Sequence, residues 1–230
     1  MRAENRVAVI IPALNEEKAI GRVLSCVPPW VDDLIVVDNG SHDETMAVAA
    51  DCGAHVLREP HRGYGSACLT GISALIQTDI VVFLDGDFSD YPAEMDRLVD
   101  PIITGRADMV IGSRVKGTRE SGALTPQARF GNWLACLLMR LFWGVEYTDL
   151  GPFRAIAYPA LIGLGMRDPN YGWTVEMQIK AAKHGLRSIE VPVSYRRRIG
   201  ESKVSGTLKG VLLAGTKILY TIFRSALTKA

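Results

Sequence analysis

Residues 80–87 read Ile80-Val81-Val82-Phe83-Leu84-Asp85-Gly86-Asp87, an apolar run that ends abruptly in two carboxylates one residue apart. An unbroken apolar run of this length is the pattern of a strand covered on both faces, which points to a parallel sheet between helices. Leu34-Ile35-Val36-Val37-Asp38 repeats the design nearer the N-terminus. Open α/β sheets bind ligands beyond the carboxyl ends of their strands. Two strands that deliver acids to one rim therefore suggest a site for a divalent cation, and a cation there can hold a nucleoside diphosphate.

The surrounding sequence supports the same fold class. Residues 7–11 read as a strand that stops at Pro12. Residues 15–27 read as a helix capped by Asn15, with Ala19, Ile20, Val23, Leu24 and Val27 on one face. Ser41-His42-Asp43-Glu44 has the spacing of a capping box for a helix that closes at Gly53. Further strands are expected at 54–58 and 109–111, and helices at 66–77 and 92–103. Strands alternating with helices argue for an α/β fold with a doubly wound, mostly parallel, Rossmann-like sheet.

After Gly112 the alternation stops. Residues 113–127 are polar and lack apolar periodicity, as long functional loops often do. Residues 128–142 and 174–184 read as helices, and 188–195 as a strand that Pro192 directs to a sheet edge. A basic loop, Arg196-Arg197-Arg198-Ile199-Gly200-Glu201-Ser202-Lys203, leads into a last helix, and Gly200 and Gly206 suit it to act as a lid. The expected organisation is one domain over residues 1–205 followed by a C-terminal amphipathic helix over 206–230.

Composition narrows the functional classes. With 230 residues, 48% hydrophobic and 22% charged, the chain can bury a sizeable core. A formal net charge of +1 gives no basis for a nucleic-acid partner. Cys26, Cys52, Cys68 and Cys136 are too scattered for metal-ligand spacing and read as buried thiols of a reducing compartment. His42, His55, His61 and His184 form no catalytic or metal pattern, and the polar N-terminus does not read as a signal peptide. Lys209, Lys217 and Arg224 interrupt residues 208–227, which argues against a membrane span. Those cations flank an apolar face (Val211, Leu212, Ile218, Leu219, Ile222, Phe223) suited to lying on anionic lipid, to packing on the domain, or to an oligomer interface.

The ordered set of motifs resembles the family 2 glycosyltransferases of GT-A fold, and within them the dolichyl- and polyprenyl-phosphate sugar synthases. The likeness rests on Ile11-Pro12-Ala13-Leu14-Asn15-Glu16, on Val37-Asp38-Asn39-Gly40-Ser41, and on Asp85-Gly86-Asp87. It continues through Gly112-Ser113-Arg114, Asp149-Leu150-Gly151-Pro152-Phe153-Arg154 and the tail from Glu190-Val191-Pro192 to Lys203. It implies that Pro12, Leu14, Glu16, Asp38, Asp85 and Gly86 bind the nucleotide, and that Arg197 and Lys203 close over its diphosphate. Asp85, Asp87 and Ser89 are the implied holders of Mg²⁺ or Mn²⁺, whose Lewis acidity would offset charge on the departing nucleotide. Two positions depart from the family pattern: Asn39 stands where a second acid is common, and Ser89 where glutamine is common.

For the acceptor, the resemblance implies that Arg114, Arg129 and Asn132 grip a phosphate, a task that the guanidinium fork suits. Asp149 matches the carboxylate that acts as base or orients the acceptor, and Glu176, after Tyr171-Gly172-Trp173, is the other candidate base. Trp173 is read either as a sugar-stacking surface or as core. A phosphomonoester largely escapes the need for a base, since its second pKa is about 6. The implied activity is inverting transfer of a hexose from a GDP- or UDP-hexose to a polyprenyl or dolichyl phosphate at the cytosolic membrane face. The alternatives are a soluble sugar or phosphorylated metabolite as acceptor, a catalytically silent sugar-nucleotide sensor and, more remotely, a nucleotidyltransferase.

Overall fold

The computed structural model describes residues 1–200 and 208–228. The strands are β1 (Val7–Ala13), β2 (Asp33–Asp38), β3 (His55–Arg58), β4 (Ile80–Phe83), β5 (Met109–Ser113), β6 (Arg154–Ala157) and β7 (Ser188–Pro192). The helices are α1 (Ile20–Ser25), α2 (Thr45–Asp51), α3 (Tyr64–Ser73), α4 (Met95–Ile103), α5 (Pro126–Trp143), α6 (Tyr158–Leu164), α7 (Trp173–Lys183) and α8 (Leu208–Leu227). One seven-stranded sheet runs in the order β3-β2-β1-β4-β6-β5-β7, parallel except for β6, which is antiparallel to β4 and β5. Strand order reverses between β1 and β4, so the carboxyl ends of β1, β2 and β4 meet at the switch point where such sheets bind ligands.

Alternation along the strands divides the core into two layers. Ile10, Ile35, Val81 and Phe83 face one side with Cys136, Met139 and Trp173, while Val9, Ile11, Val36 and Val82 face the other with Ile20, Leu98 and Val99. Trp173 is core, set edge-on to Phe83 at 5.8 Å between ring centroids. Two close approaches depend on glycine in the second half. A Cβ on Gly151 would lie 2.3 Å from the Gly112 carbonyl, and one on Gly117 would lie 1.9 Å from the Val193 carbonyl. These contacts draw the 149–153 segment, the end of β5 and the segment after β7 together.

Several elements differ from expectation. β1 continues through Pro12, which pairs in register with Val37, so proline does not end it. α1 begins only at Ile20, because Asn15 takes φ +52° and its Oδ1 accepts the His42 amide at 2.8 Å. Asn15 thus ties the first turn to the second instead of capping a helix. The expected capping box does not form: the Thr45 amide donates to Asp43, and Ser41 Oγ accepts the Asn15 amide. β6 and α6 were not expected. Part of the polar 113–127 segment pairs with Tyr195, whose amide donates to Thr118 and whose carbonyl accepts from Glu120. Cys68 and Cys136 are buried as expected, but Cys26 and Cys52 are exposed.

α8 packs on α5 and α7, burying Ala214, Thr221 and Ile222, and Lys217 pairs with Asp168 at 2.9 Å. Its buried side is therefore not the face expected from sequence, since Ile222 joins the core while Leu212 and Phe223 stay exposed. By length and composition alone the segment Gly210–Leu227 could cross a membrane, in contrast to the sequence reading. The expected boundary at 205–206 and the glycine hinge at Gly206 lie outside the described residues.

Candidate active site

β4 ends at Phe83, and the chain turns through Asp85-Gly86-Asp87 at the sheet rim. Asp87 is held from behind: its Oδ1 accepts the Ser89 amide at 2.9 Å and the Ser89 hydroxyl. Ser89 is completely buried, so it orients Asp87 and does not present itself as the metal ligand expected from sequence. Asp85 accepts a hydrogen bond from Tyr64 at 3.1 Å. Burial first, then the nearby Asp87 charge, pushes the Asp85 carboxyl up to about 7. Asp90 is buried with neither carboxylate oxygen hydrogen-bonded, and burial together with Asp85 and Asp87 pushes it well above the carboxylate range. The Asp85 amide opposes that shift only weakly and closes no bond.

The neighbouring strand ends complete the rim. Asp38 is buried at the end of β2, where its carboxylate accepts the amides of Gly40 and Ser41. Asn39 pins the 59–63 loop, donating to the carbonyls of Glu59 and His61 and accepting the Gly63 amide. Pro12 and Leu14 are half-buried at the end of β1, and Gly86 is buried beside Ile11 and Pro12. Glu16 is buried, and Arg198 reaches it at 2.7 Å while also approaching Asp87 Oδ2 at 3.2 Å.

The strap carrying Arg198 is fastened along the same turn. The Ile199 amide donates to the Asp87 carbonyl and the Arg196 amide to that of Ser89, each at 2.9 Å. The Arg196 guanidinium donates to the Phe88 and Asp90 carbonyls and stacks on the Phe88 and Tyr91 rings. Among the described residues no three His, Cys, Asp or Glu side chains converge as a closed metal cage. Asp85 and Asp87 instead form an open pair whose counter-cation is Arg198. That donor set fits a hard divalent ion that completes its shell with water and phosphate oxygens.

Asp85 and Asp87 open into a cleft of about 1160 Å³, also lined by Arg114, Arg119, Arg129, Asn132, Tyr195 and Arg197. Arg114 is engaged by Asp149 through its backbone amide, Nε and Nη2 at 2.8, 2.8 and 2.7 Å. Burial opposes the Arg114 charge, but the Asp149 carboxylate outweighs it and raises the guanidinium pKa. Asp149 itself is 0% exposed, so it serves as an anchor for Arg114 and not as a base open to an acceptor. Asn132, expected to touch the acceptor, is a clamp: its amide donates to the Thr148 carbonyl and its oxygen accepts the Leu150 amide. It fixes α5, and with it Arg129 one turn earlier, to the Asp149 segment. Arg197 is held by the Ser121 carbonyl and, through its amide, by Glu120.

Glu176 is not part of this cleft. Its carboxylate accepts the amides of Arg167 and Asp168 and pairs with Lys180 at 2.8 Å, which makes it a loop anchor. Lys203 lies outside the described residues. Sequence reasoning missed Glu190, which accepts the amides of Thr148 and Asp149 and pairs with Lys116, and Gln178, which donates to the Asp149 carbonyl. It also missed Arg119 as a cleft residue and the bridging position of Arg198. Glu190, Gln178 and Arg198 take their roles from partners distant in the chain.

Residues 8–158 match Glycosyl transferase family 2. An uncharacterized glycosyltransferase of Mycobacterium tuberculosis is 38% identical over 214 residues, covering 92% of this chain and 95% of that one. The undecaprenyl-phosphate mannosyltransferase of Micrococcus luteus is 33% identical over 223 residues, covering 89% and 90%. In three dimensions the chain is similar to glucosyl-3-phosphoglycerate synthase of M. tuberculosis, crystallised with Mn²⁺, UDP and glucosyl-3-phosphoglycerate. The TM-score is 0.78 at 25% identity, over 98% of this chain and 81% of that chain. By matched sequence across most of its length, and by a fold shared with solved glycosyltransferases, the chain belongs to glycosyl transferase family 2.

Proposed function

We propose that this enzyme moves a hexose from a GDP- or UDP-hexose to a polyprenyl or dolichyl phosphate in one inverting displacement. The observation that carries the reading is the acceptor end of the cleft, which offers guanidinium groups and, among the described residues, no carboxylate without an arginine partner. Asp149 is sealed beneath Arg114, and Glu146, which also lines the cleft, sits at its exposed rim paired with Arg140. An acceptor hydroxyl would need a base, whereas a phosphate arrives mostly deprotonated at neutral pH, with a second pKa of about 6. Arg129 and Arg119 carry charge into the cleft with no carboxylate partner among the described residues, and Arg114 presents the edge that Asp149 leaves open. The phosphate oxygen attacks the anomeric carbon, the bond from that carbon to the diphosphate oxygen breaks, and its electron pair leaves with the nucleotide.

Asp85 and Asp87 would hold Mg²⁺ or Mn²⁺, which supplies electrostatic stabilisation of the departing diphosphate. The Mn²⁺ and UDP bound by glucosyl-3-phosphoglycerate synthase support this assignment. The undecaprenyl-phosphate mannosyltransferase among the relatives supports the lipid acceptor. A second reading has a specific observation in its favour: the synthase of similar fold was crystallised with a soluble phosphorylated product.

One assay separates the two. The protein, Mn²⁺ and labelled UDP- and GDP-hexoses are incubated with polyprenyl phosphate or with 3-phosphoglycerate. Label entering an organic-soluble, mild-acid-labile product is the expected result. Label entering only the phosphoglycerate arm would replace the lipid reading, and donor binding without turnover in either arm would favour the sensor.

A further inference from the structure

We propose that the exposed faces of α5 and α8 together form a docking surface for an anionic lipid bilayer, placed so that the cleft opens at the membrane. On α5 the side chains of Phe130, Trp133, Leu137 and Leu141 recur at helical spacing and face solvent, Phe130 at 62%, Trp133 at 57% and Leu141 at 70% exposed. On α8 Leu212, Leu213, Tyr220, Phe223 and Leu227 do the same, with Leu227 at 87% exposed. Successive positions advance by about 100°, which puts all five within one third of the helix circumference. The helix buries Ala214, Thr221 and Ile222 on another side. Phe142, exposed beside Leu141 but about 100° further around α5, links the two helices by meeting Phe223 edge-on, 5.8 Å between centroids. Contiguous apolar surface of this kind is unusual on a protein that meets only water.

Charge identifies the occupant. α5 and α8 contain no Asp or Glu, although the whole chain has 25. They carry five cations, Arg129, Arg140, Lys209, Lys217 and Arg224, of which Arg140 pairs with Glu146 and Lys217 with Asp168 from outside the two helices. Apolar and aromatic side chains flanked by arginine and free of acids suit the headgroup region of an anionic leaflet. A protein partner or a second copy would ordinarily bring some acidic complement. Position supplies a second argument: Phe130, Trp133, Leu137, Arg129 and Arg140 also line the cleft, so one edge of the surface is the cleft mouth. A phosphate headgroup in the leaflet would meet Arg129 while its chain stayed in the bilayer. α8 lies along the domain in this arrangement, with Ile222 in the core and Lys217 paired to Asp168, and so does not span. This placement deepens the lipid-phosphate reading, but vesicle binding itself does not depend on it.

The test is flotation of the protein with vesicles of pure phosphatidylcholine or with about one-third phosphatidylglycerol. The expected result is partition onto the anionic vesicles at least about tenfold above the neutral ones, reversed by alkaline carbonate. Brominated lipid should quench wild-type tryptophan fluorescence, and Trp133→Phe should remove most of that quenching. The triple variant Leu141→Ser, Leu212→Ser and Leu227→Ser touches neither core nor cleft lining. It should lose vesicle binding about tenfold or more while keeping its melting temperature and its turnover on a short, water-soluble prenyl phosphate. Wild-type protein remaining in the aqueous fraction would overturn the docking surface and leave the lipid-phosphate acceptor standing if the short acceptor turns over. Vesicle binding with no turnover on any prenyl phosphate would sink the acceptor reading and leave the surface. Carbonate-resistant retention, or a dimer in sedimentation that the triple variant abolishes, would replace the proposed occupant.

Discussion

The two ends of the cleft solve opposite electrostatic problems. At the donor end, acids gather at strand ends, and Ser89, Gly40, Ser41 and Arg198 compensate them through short contacts. At the acceptor end, Arg119 and Arg129 face the cleft without a carboxylate partner among the described residues, and apolar side chains extend beyond them into solvent. The donor end thus holds acids in excess, with Arg198 on Asp87 as a resident cation that a metal must displace, whereas the acceptor end carries positive charge that a ligand must complete. The contrast explains how one fold can keep a nucleotide site while changing acceptors: the first is built on a sheet rim, the second on α5 and loops.

The largest test of that contrast is Asp87→Ala. It should lower kcat by about a thousandfold or more, because loss of charge stabilisation at a leaving group costs several kcal/mol. Calorimetry should show Mn²⁺ binding lost as well; transfer surviving within a few-fold would show that the donor end does not work through this acid. Asp149→Asn comes next and acts on stability. It leaves the Arg114 guanidinium buried beside a neutral amide, and breaking one partner of a buried pair costs about 3–5 kcal/mol. A melting temperature within a degree or two of wild type would mean that Arg114 finds another counter-ion. Arg129→Ala should raise the acceptor KM or lower kcat by about ten- to a hundredfold, the worth of one charge-assisted phosphate contact, with donor affinity unchanged. Equal loss of donor affinity would erase the division between the two ends.

How much of this was legible in the chain follows the same division. β2 and β4 were readable because an unbroken apolar run ending in an acid is a local signal, β1 from its apolar run alone, and Pro192 correctly marked β7 as an edge strand. β6 was not readable: four residues that begin on the last residue of a motif segment show no period, and their place between β4 and β5 is set by pairing distant in sequence. Arg154, within a motif, is wholly buried and donates to the carbonyls of Leu150, Gly151 and Thr174. Asp149, Asn132, Ser89 and Glu176 were recognisable as polar residues near motifs. Whether each faces ligand or supports a neighbour depends on contacts that no local pattern records.

A smaller and graded effect is expected with pH. Burial raises the Asp85 carboxyl to about 7, so below that pH a proton competes with the metal. Apparent Mn²⁺ affinity should fall about tenfold per pH unit below 7 and level off above it, with proton release on binding at pH 6. For the metal-free fold the sign is the reverse of an ordinary salt-bridged acid. The folded state keeps a proton that the unfolded chain loses near pH 4, so Asp85 costs stability as pH rises toward 7. Metal affinity flat between pH 5.5 and 8 would remove Asp85 from the metal site.

The smallest effect concerns Arg198. Its guanidinium lies 3.2 Å from Asp87 Oδ2 and 2.7 Å from Glu16, so a divalent ion drawn to Asp87 must displace a cation already there. A divalent ion and a guanidinium about 4 Å apart repel by about 2–8 kcal/mol at effective dielectric constants of 80 to 20. Much of this is relieved if the strap swings away, and an incoming diphosphate gives the guanidinium a new partner. Mn²⁺ binding to the unliganded protein should therefore tighten a few-fold in Arg198→Ala, while Mn²⁺ binding in the presence of UDP weakens. Manganese electron paramagnetic resonance reads both without turnover. If Arg198→Ala shifts both affinities in the same direction, Arg198 is a plain structural cation and the donor end is not held by an exchangeable one.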